Sequence, residues 1–234
     1  MGEAVPLPPD WDSGQTEVLA VTPTSTIYRI FSRDGATKIA KCLTPLGVKH
    51  ESLGVDYLSW RQGRGAVDVL DVEGDAILLE DGGSKTLYKH RQDVGDAATL
   101  ETLGEIVATL LAEQQQPPSD FLPLEQHLEF LFLRCTMSGP KADMDLFENA
   151  AGLARKLLGS CDTQMPLHGD LHHENLLLSN RGWLAIDPFG LVGDPAYESA
   201  NLFSNPRDDV ETITRSGRIV ALAKAVSSHT GQDE

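Results

Sequence analysis

The sequence predicts an α+β protein of two lobes, on three observations. The first eighty or so residues hold runs of β-branched and aromatic residues between turn formers, a glycine pair Gly82-Gly83 follows, and the remainder has a helical apolar period broken by one hairpin. Thr16 to Val21 and Thr26 to Ser32 read as the first two strands, and Asp34-Gly35 is a hairpin turn into a third, Ala36 to Leu43. Lys49 to Trp60 sets Leu53, Tyr57 and Trp60 at helical spacing, with Gly54 weakening that helix. Ala66 to Leu70 and Ala76 to Glu80 are two more strands about the turn Glu73-Gly74-Asp75, and Asp81 to Ser84 is a flexible connector. The lobe boundary falls there, giving a small, mostly antiparallel β lobe at residues 1–82 and a larger helical lobe at 83–234.

In the second lobe Leu100, Leu103, Val107 and Leu110 share one face of a helix that starts at Asp96 and is stopped by Gln114-Gln115-Gln116-Pro117-Pro118. Phe121 to Arg134 and Asp143 to Leu158 have similar apolar faces, the second ending near Gly159. Asn175 to Leu178 and Trp183 to Ile186 are short strands joined by a turn at Ser179-Asn180-Arg181-Gly182. A last helix runs from about Asp209 to Val226, and no internal repeat is present.

A chain of 234 residues, 41% hydrophobic, is long enough to bury a core. Its 19 Lys+Arg stand against 35 Asp+Glu, a formal charge of −16. That charge repels phosphate backbones and anionic headgroups, so nucleic acid and membrane surfaces are poor partners and a cationic ligand is favoured. Solubility is its plainer meaning. Cys42, Cys135 and Cys161 are too far apart for a C-x-x-C site or a disulfide framework. The N-terminus has Glu3 and several prolines where a signal peptide needs a basic start and an apolar run, so the expected compartment is the cytoplasm.

Chemistry concentrates in His168-Gly169-Asp170-Leu171-His172-His173-Glu174-Asn175 and Ile186-Asp187-Pro188-Phe189-Gly190. An Asp and an Asn five residues apart on a loop can converge, the first near a hydroxyl nucleophile and the second on a hard cation. Asp187 lies beyond the hairpin, which brings its two ends together so that Asn175 and Asp187 can share magnesium. The spacing matches the protein-kinase pattern H-x-D-L-x-x-x-N followed by D-x-F-G in place of D-F-G. His168, Asp170, His172 and His173 could alternatively form a zinc or iron cluster, and a third reading makes the histidines ordinary loop residues. Phosphoryl transfer also needs a strand lysine for the nucleotide phosphates and a helical acid to orient it. Lys41 is preferred over Lys38, and Glu51 and Asp56 are both candidates for the acid, Glu51 having the longer reach. The segment Thr22-Pro23-Thr24-Ser25-Thr26 could cover phosphates, and Glu80-Asp81-Gly82 could offer backbone groups to adenine.

Leu167 to Asn175, Arg181-Gly182-Trp183-Leu184-Ala185-Ile186-Asp187-Pro188, Gly190-Leu191-Val192-Gly193, Ala200-Asn201-Leu202-Phe203 and, upstream, Gly54 to Arg61 resemble the aminoglycoside/hydroxyurea antibiotic resistance kinase family. The similarity runs from about Val18 to Ala225 and is nearest to the streptomycin-phosphorylating branch. It implies a bilobal protein-kinase-like fold with ATP and Mg2+ in the cleft and a cationic aminoglycoside as acceptor. By the same resemblance Asp170 is the catalytic base, Asn175 and Asp187 are magnesium ligands, Lys41 contacts the phosphates, and Glu51 rather than Asp56 is its partner. Asp194 and Glu198 are candidate acceptor-binding acids, the plainer alternative being acids that stabilise a helix start near Pro195. Members of the family continue beyond the helix matching Arg218 to Ala225, whereas this sequence ends Ser227 to Glu234. The expectation is a shortened acceptor half, with a non-catalytic nucleotide-binding relic as the alternative to a working enzyme.

Overall fold

Strand-forming residues pair into a five-stranded antiparallel sheet of order β1-β2-β3-β5-β4: β1 Gln15–Val21, β2 Ser25–Phe31, β3 Thr37–Leu43, β4 Val69–Glu73 and β5 Ala76–Glu80. The computed structural model describes residues 5–11, 15–32, 35–112 and 120–231. Asp34 of the expected hairpin turn and the glutamine-proline stop at 114–118 lie outside these. Lys41 stands opposite Ile27 on β2 and Ile77 on β5, in the middle of the sheet rather than at an edge. Ile39 and Lys41 share one face because side chains alternate along a strand.

Helix α1, Pro45–Arg61, begins four residues before the expected Lys49. Thr44 Oγ1 accepts from the Gly47 amide at 3.2 Å, and Pro45 fits the first turn because its missing N–H is one a helix start leaves unused. Arg61 ends the helix as a buried cation held by carbonyls: Nη1 donates to Leu110 at 2.8 Å and Nε to Arg64 at 2.6 Å. α1 is thereby tied to the second lobe. β4 starts later than expected because Ala66 and Val67 cross to that lobe as well. Ala66 pairs in parallel with Ala185, and the Val67 amide donates to Ala185 at 3.1 Å.

Beyond β5 the chain passes Asp81 to Ser84 into β6, Lys85–Thr86, which joins β9, Leu176–Ser179, and β10, Gly182–Ala185. Helix α2, Leu87–Val94, follows with Thr86 as its cap. It escapes an apolar-period reading because only Leu87 is buried. α3, Asp96–Leu111, buries Leu100, Leu103, Ile106, Val107 and Leu110. The expected helix from Phe121 is instead β7, Leu122–Pro123, then α4, Leu124–His127, and α5, Glu129–Arg134. Leu122 is taken by a parallel pairing with β11, Leu191–Gly193, whose other neighbour is β8, Met165–Leu167. α6 is Lys141–Ser160. A 3-10 segment covers Pro195–Ser204, and the expected last helix is two, α7 Val210–Ile213 and α8 Ser216–Thr230. α8 packs on α3, with Leu222 and Ala225 in the same apolar cluster as Leu103 and Val107. That cluster also takes in Leu43, Tyr57 and Ile77, so the two lobes meet through apolar side chains. No helix among the described residues is long and apolar enough to cross a membrane.

Candidate active site

Asp170 lies on the loop between β8 and β9, and that loop is held from several sides. Gly169 has φ +80°, and a Cβ there would stand 2.6 Å from Leu191 Cδ1, so the backbone passes β11 only as glycine. His168 is buried; its Nδ1 accepts from the Asp170 amide at 3.2 Å, which leaves the proton on Nε2 to donate to the Ile186 carbonyl at 2.8 Å. Burial pushes its pKa down to about 4, so it is a neutral strut between the Asp170 loop and the segment entering Asp187. With both ring nitrogens used it is no metal ligand. Among the described residues no three His, Cys, Asp or Glu side chains are grouped to hold a metal, so the alternative zinc or iron cluster does not form.

The Asp170 carboxylate accepts from Asn201 Nδ2 through Oδ1 at 2.9 Å, and its carbonyl accepts from Asn175 Nδ2 at 3.0 Å. Burial raises the Asp170 pKa, opposed first by His172 and then by Arg207. Across the cleft, Lys41 Nζ lies 2.6 Å from Glu51 Oε2 and 2.7 Å from Asp187 Oδ1. Burial alone would lower the ammonium pKa, but Asp187 and then Glu51 outweigh it and hold it above the usual lysine value. Asp56 is exposed and takes no part. Asp187 has φ +55°, a left-handed backbone that Asp tolerates better than most residues. α1 packs directly on this segment, since a Cβ on Gly54 would come within 2.2 Å of the Pro188 carbonyl oxygen.

Three recesses meet at these residues. One of about 140 Å3 is walled by Ile27, Ile39, Val67, Leu79 and Leu177 and runs from the connector to Lys41 and Asp187. Gly82 belongs to its wall, where a Cβ would meet Leu177 at 3.0 Å and Val67 at 3.1 Å. A second, about 370 Å3, joins Lys41, Glu51 and Asp187 to Asp170, and a third, about 510 Å3, continues from Asp170 past His172 and Glu174 to Arg207 and Asp208. The chemistry of the donors fits magnesium. Asn175 spends its amide nitrogen on Asp170, and its backbone carbonyl accepts from the Ile186 amide at 3.0 Å, which sets it beside the segment entering Asp187; the side-chain oxygens of Asn175 and Asp187 are of the hard type that magnesium takes alongside phosphates.

The structure corrects one expectation outright and narrows three. Glu198 is not on the cleft: it is 1% exposed, beneath the Asp170 loop, and accepts the His168 amide at 2.9 Å. Asp194 caps the 3-10 segment, accepting from the Ala196 amide at 2.9 Å, which is the helix-start role. The Glu80 amide is not free for adenine, because it donates to the Asp68 carbonyl at 2.9 Å while its carboxylate is tied to Arg181 at 2.5 Å. The 22–26 segment does reach the cleft, since Thr22, Thr24 and Ser25 line the recess with Lys41 and Asp170, but the amides of Thr24 and Ser25 donate to Thr22 Oγ1 at 3.3 and 2.9 Å. Sequence reasoning missed Asn201, whose motif was noted without a role. It also missed His127, whose ring lies tilted against Phe189 at 5.1 Å between centroids and feels the Asp170 charge. No local spacing signals either contact.

The burial of Glu198 makes a prediction. Burial raises its pKa from an ordinary 4.5 to about 7, against the amides of His168 and Gly169. A carboxyl whose folded pKa is raised is neutral in both states below the unfolded value, so its contribution is intact there and is lost as pH rises through the folded value. The loss amounts to about 3 kcal/mol across that window. Thermal unfolding at pH 5 and pH 8 should therefore show a smaller drop for Glu198→Gln than for the parent chain. Equal drops would mean that Glu198 ionises freely.

The sequence matches the aminoglycoside/hydroxyurea antibiotic resistance kinase family over residues 10–234. It is 37% identical over 161 residues to a streptomycin 3''-kinase of Klebsiella pneumoniae, covering 68% of this chain and 58% of that protein. It is 28% identical over 208 residues to a streptomycin 6-kinase of Streptomyces glaucescens, covering 86% of this chain and 65% of the relative. The chain thus spans about three fifths of the length of these relatives. The fold is similar to aminoglycoside phosphotransferase APH(3'')-Id of Streptomyces rimosus in complex with ADP and streptomycin, with TM-score 0.66, 20% identity and coverage of 95% of this chain and 88% of that one. The lobes are those of a protein-kinase-like fold. This chain belongs to the aminoglycoside/hydroxyurea antibiotic resistance kinase family.

Proposed function

We propose that the chain transfers the γ-phosphoryl group of ATP to a hydroxyl of an aminoglycoside-type, streptomycin-like molecule, inactivating it, in the cytoplasm where ATP is supplied. The observation that carries this reading is the recess in which Asp170, oriented by Asn201, shares the wall with the Lys41, Glu51 and Asp187 group. Residues 1–82 contribute the sheet, Lys41 and Glu51, and residues 83–234 contribute Asp170, Asn175 and Asp187. The apolar recess beside Gly82 and the Glu80 to Gly83 connector suits a purine ring. Lys41, held by its two carboxylates, is positioned for nucleotide phosphates. Asn175 and Asp187 would hold magnesium, which when bound supplies positive charge against the phosphate oxygens.

Asp170 accepts the proton of the acceptor hydroxyl. Asn201 on Oδ1 fixes the carboxylate, and partial burial makes it a better base than an exposed aspartate. The recess beyond carries Glu174 and Asp208 as well as Asp170 against one Arg207, a balance that favours an amine- or guanidinium-bearing acceptor. ADP release from Mg-ATP, with and without streptomycin and a panel of aminoglycosides, tests the reading. Turnover should require one acceptor and fall by about 100-fold or more in Asp170→Ala. Nucleotide binding with no acceptor stimulation above the Asp170→Ala level would overturn it.

A further inference from the structure

α6 carries two apolar stripes, and the fold uses one. Met144, Phe147, Ala151, Ala154 and Leu158 recur at three- and four-residue spacing and are buried or half-buried. Leu146, Leu153 and Leu157 form a second stripe about 120° further round the helix. These three leucines are 52% to 67% exposed. α5, packed against α6, adds Phe130 at 74% exposure. A monomer seldom leaves a helix stripe of three large apolar side chains open.

The charges beside the stripe say what covers it. Asp145 and Lys156 flank it on the side away from the packed face, both exposed, and neither forms an ion pair among the described residues. Arg155, by contrast, is occupied over the Phe132 ring at 4.7 Å. We propose that this face joins two copies of the chain, their α6 helices antiparallel about a two-fold axis that crosses between Ala150 and Ala151. That one axis sets Asp145 beside the partner's Lys156 and seats Leu146 between the partner's Leu153 and the partner's Leu157. A parallel pairing would instead leave Asp145 and the partner's Lys156 about 16 Å apart along the axis, with no ion pair formed. The contact is isologous, so it closes at two copies.

Sedimentation velocity of the 234-residue chain over a wide concentration range reads the association. The parent chain should show a monomer–dimer equilibrium, and Leu153→Glu should be monomeric with an unchanged far-ultraviolet circular dichroism spectrum. Asp145→Lys should weaken dimerisation by about tenfold. Combining it with Lys156→Asp should restore the parent affinity, and these surface variants keep the test open should Leu153→Glu fail to fold. A parent chain that stays monomeric, with the face left to another protein or to further residues of a longer chain, overturns the proposal. So does a dimer indifferent to Leu153→Glu, or a charge reversal that the second substitution does not rescue.

Discussion

Asp187→Asn is expected to lower acceptor-dependent ADP release by about a thousandfold or more while leaving the fold intact. Asp187 occupies the left-handed region at φ +55°, where Asn is one of the few side chains tolerated, so the backbone need not move. The Lys41 ion pair it loses is half-exposed on the Asp187 side, and such pairs contribute about 1 kcal/mol or less. Thermal stability should therefore change little. On the proposed function the chemistry should not survive as well, because a phosphoryl transfer site works by positioning and by charge, and this substitution removes the negative charge that Asp187 would offer to magnesium. Lys41, left with Glu51 alone against its burial, should also drop in pKa. Raising the magnesium concentration should recover part of the activity of the variant but not of Asp170→Ala. Activity within tenfold of the parent chain would remove Asp187 from the site.

These residues were legible in the sequence because the chemistry that needs them is local. Asp170 and Asn175 share one loop, a short hairpin returns the chain to Asp187, and Lys41 sits on a strand whose alternation is plain. Spacing puts both Glu51 and Asp56 on the helix, Glu51 has the longer reach, and the family resemblance favours it too; the geometry puts it 2.6 Å from Lys41. Glu198 was misread because an acid near a helix start looks the same in sequence whether it faces solvent or lies under another loop. Its partner, the His168 amide, is 30 residues away. Asn201 reaches Asp170 across 31 residues, and no periodicity announces such a contact. α2 and the two-residue strands were unreadable for a simpler reason: an element that buries one side chain, or none, leaves no apolar period.

Gly54→Ala reverses in sign between sequence and structure. As a helix-interior glycine, Gly54 should gain about 1 kcal/mol on replacement by alanine. The added Cβ, however, would stand 2.2 Å from the Pro188 carbonyl oxygen, and Gly190 mirrors the contact, its own Cβ meeting the Leu53 carbonyl oxygen at 2.3 Å. Two backbones touch here, so neither can give by rotating a side chain. Separating them costs about 1 to 3 kcal/mol and moves α1 off the Asp187 segment. Glu51 is one turn before Gly54 and Asp187 is next to Pro188, so the separation opens the Lys41 ion pairs that span both elements. A shift of about 1 Å in such a group lowers turnover by about 100-fold. Gly152, on the exposed side of α6 with nothing within 4 Å of its would-be Cβ, is the control, and Gly152→Ala should stabilise by up to about 1 kcal/mol with turnover unchanged. Opposite shifts in melting temperature for the same substitution in two helices would show that close approach to Pro188, not helix propensity, explains a glycine at position 54. A stabilised and fully active Gly54→Ala would show that α1 and the Asp187 segment are free to separate.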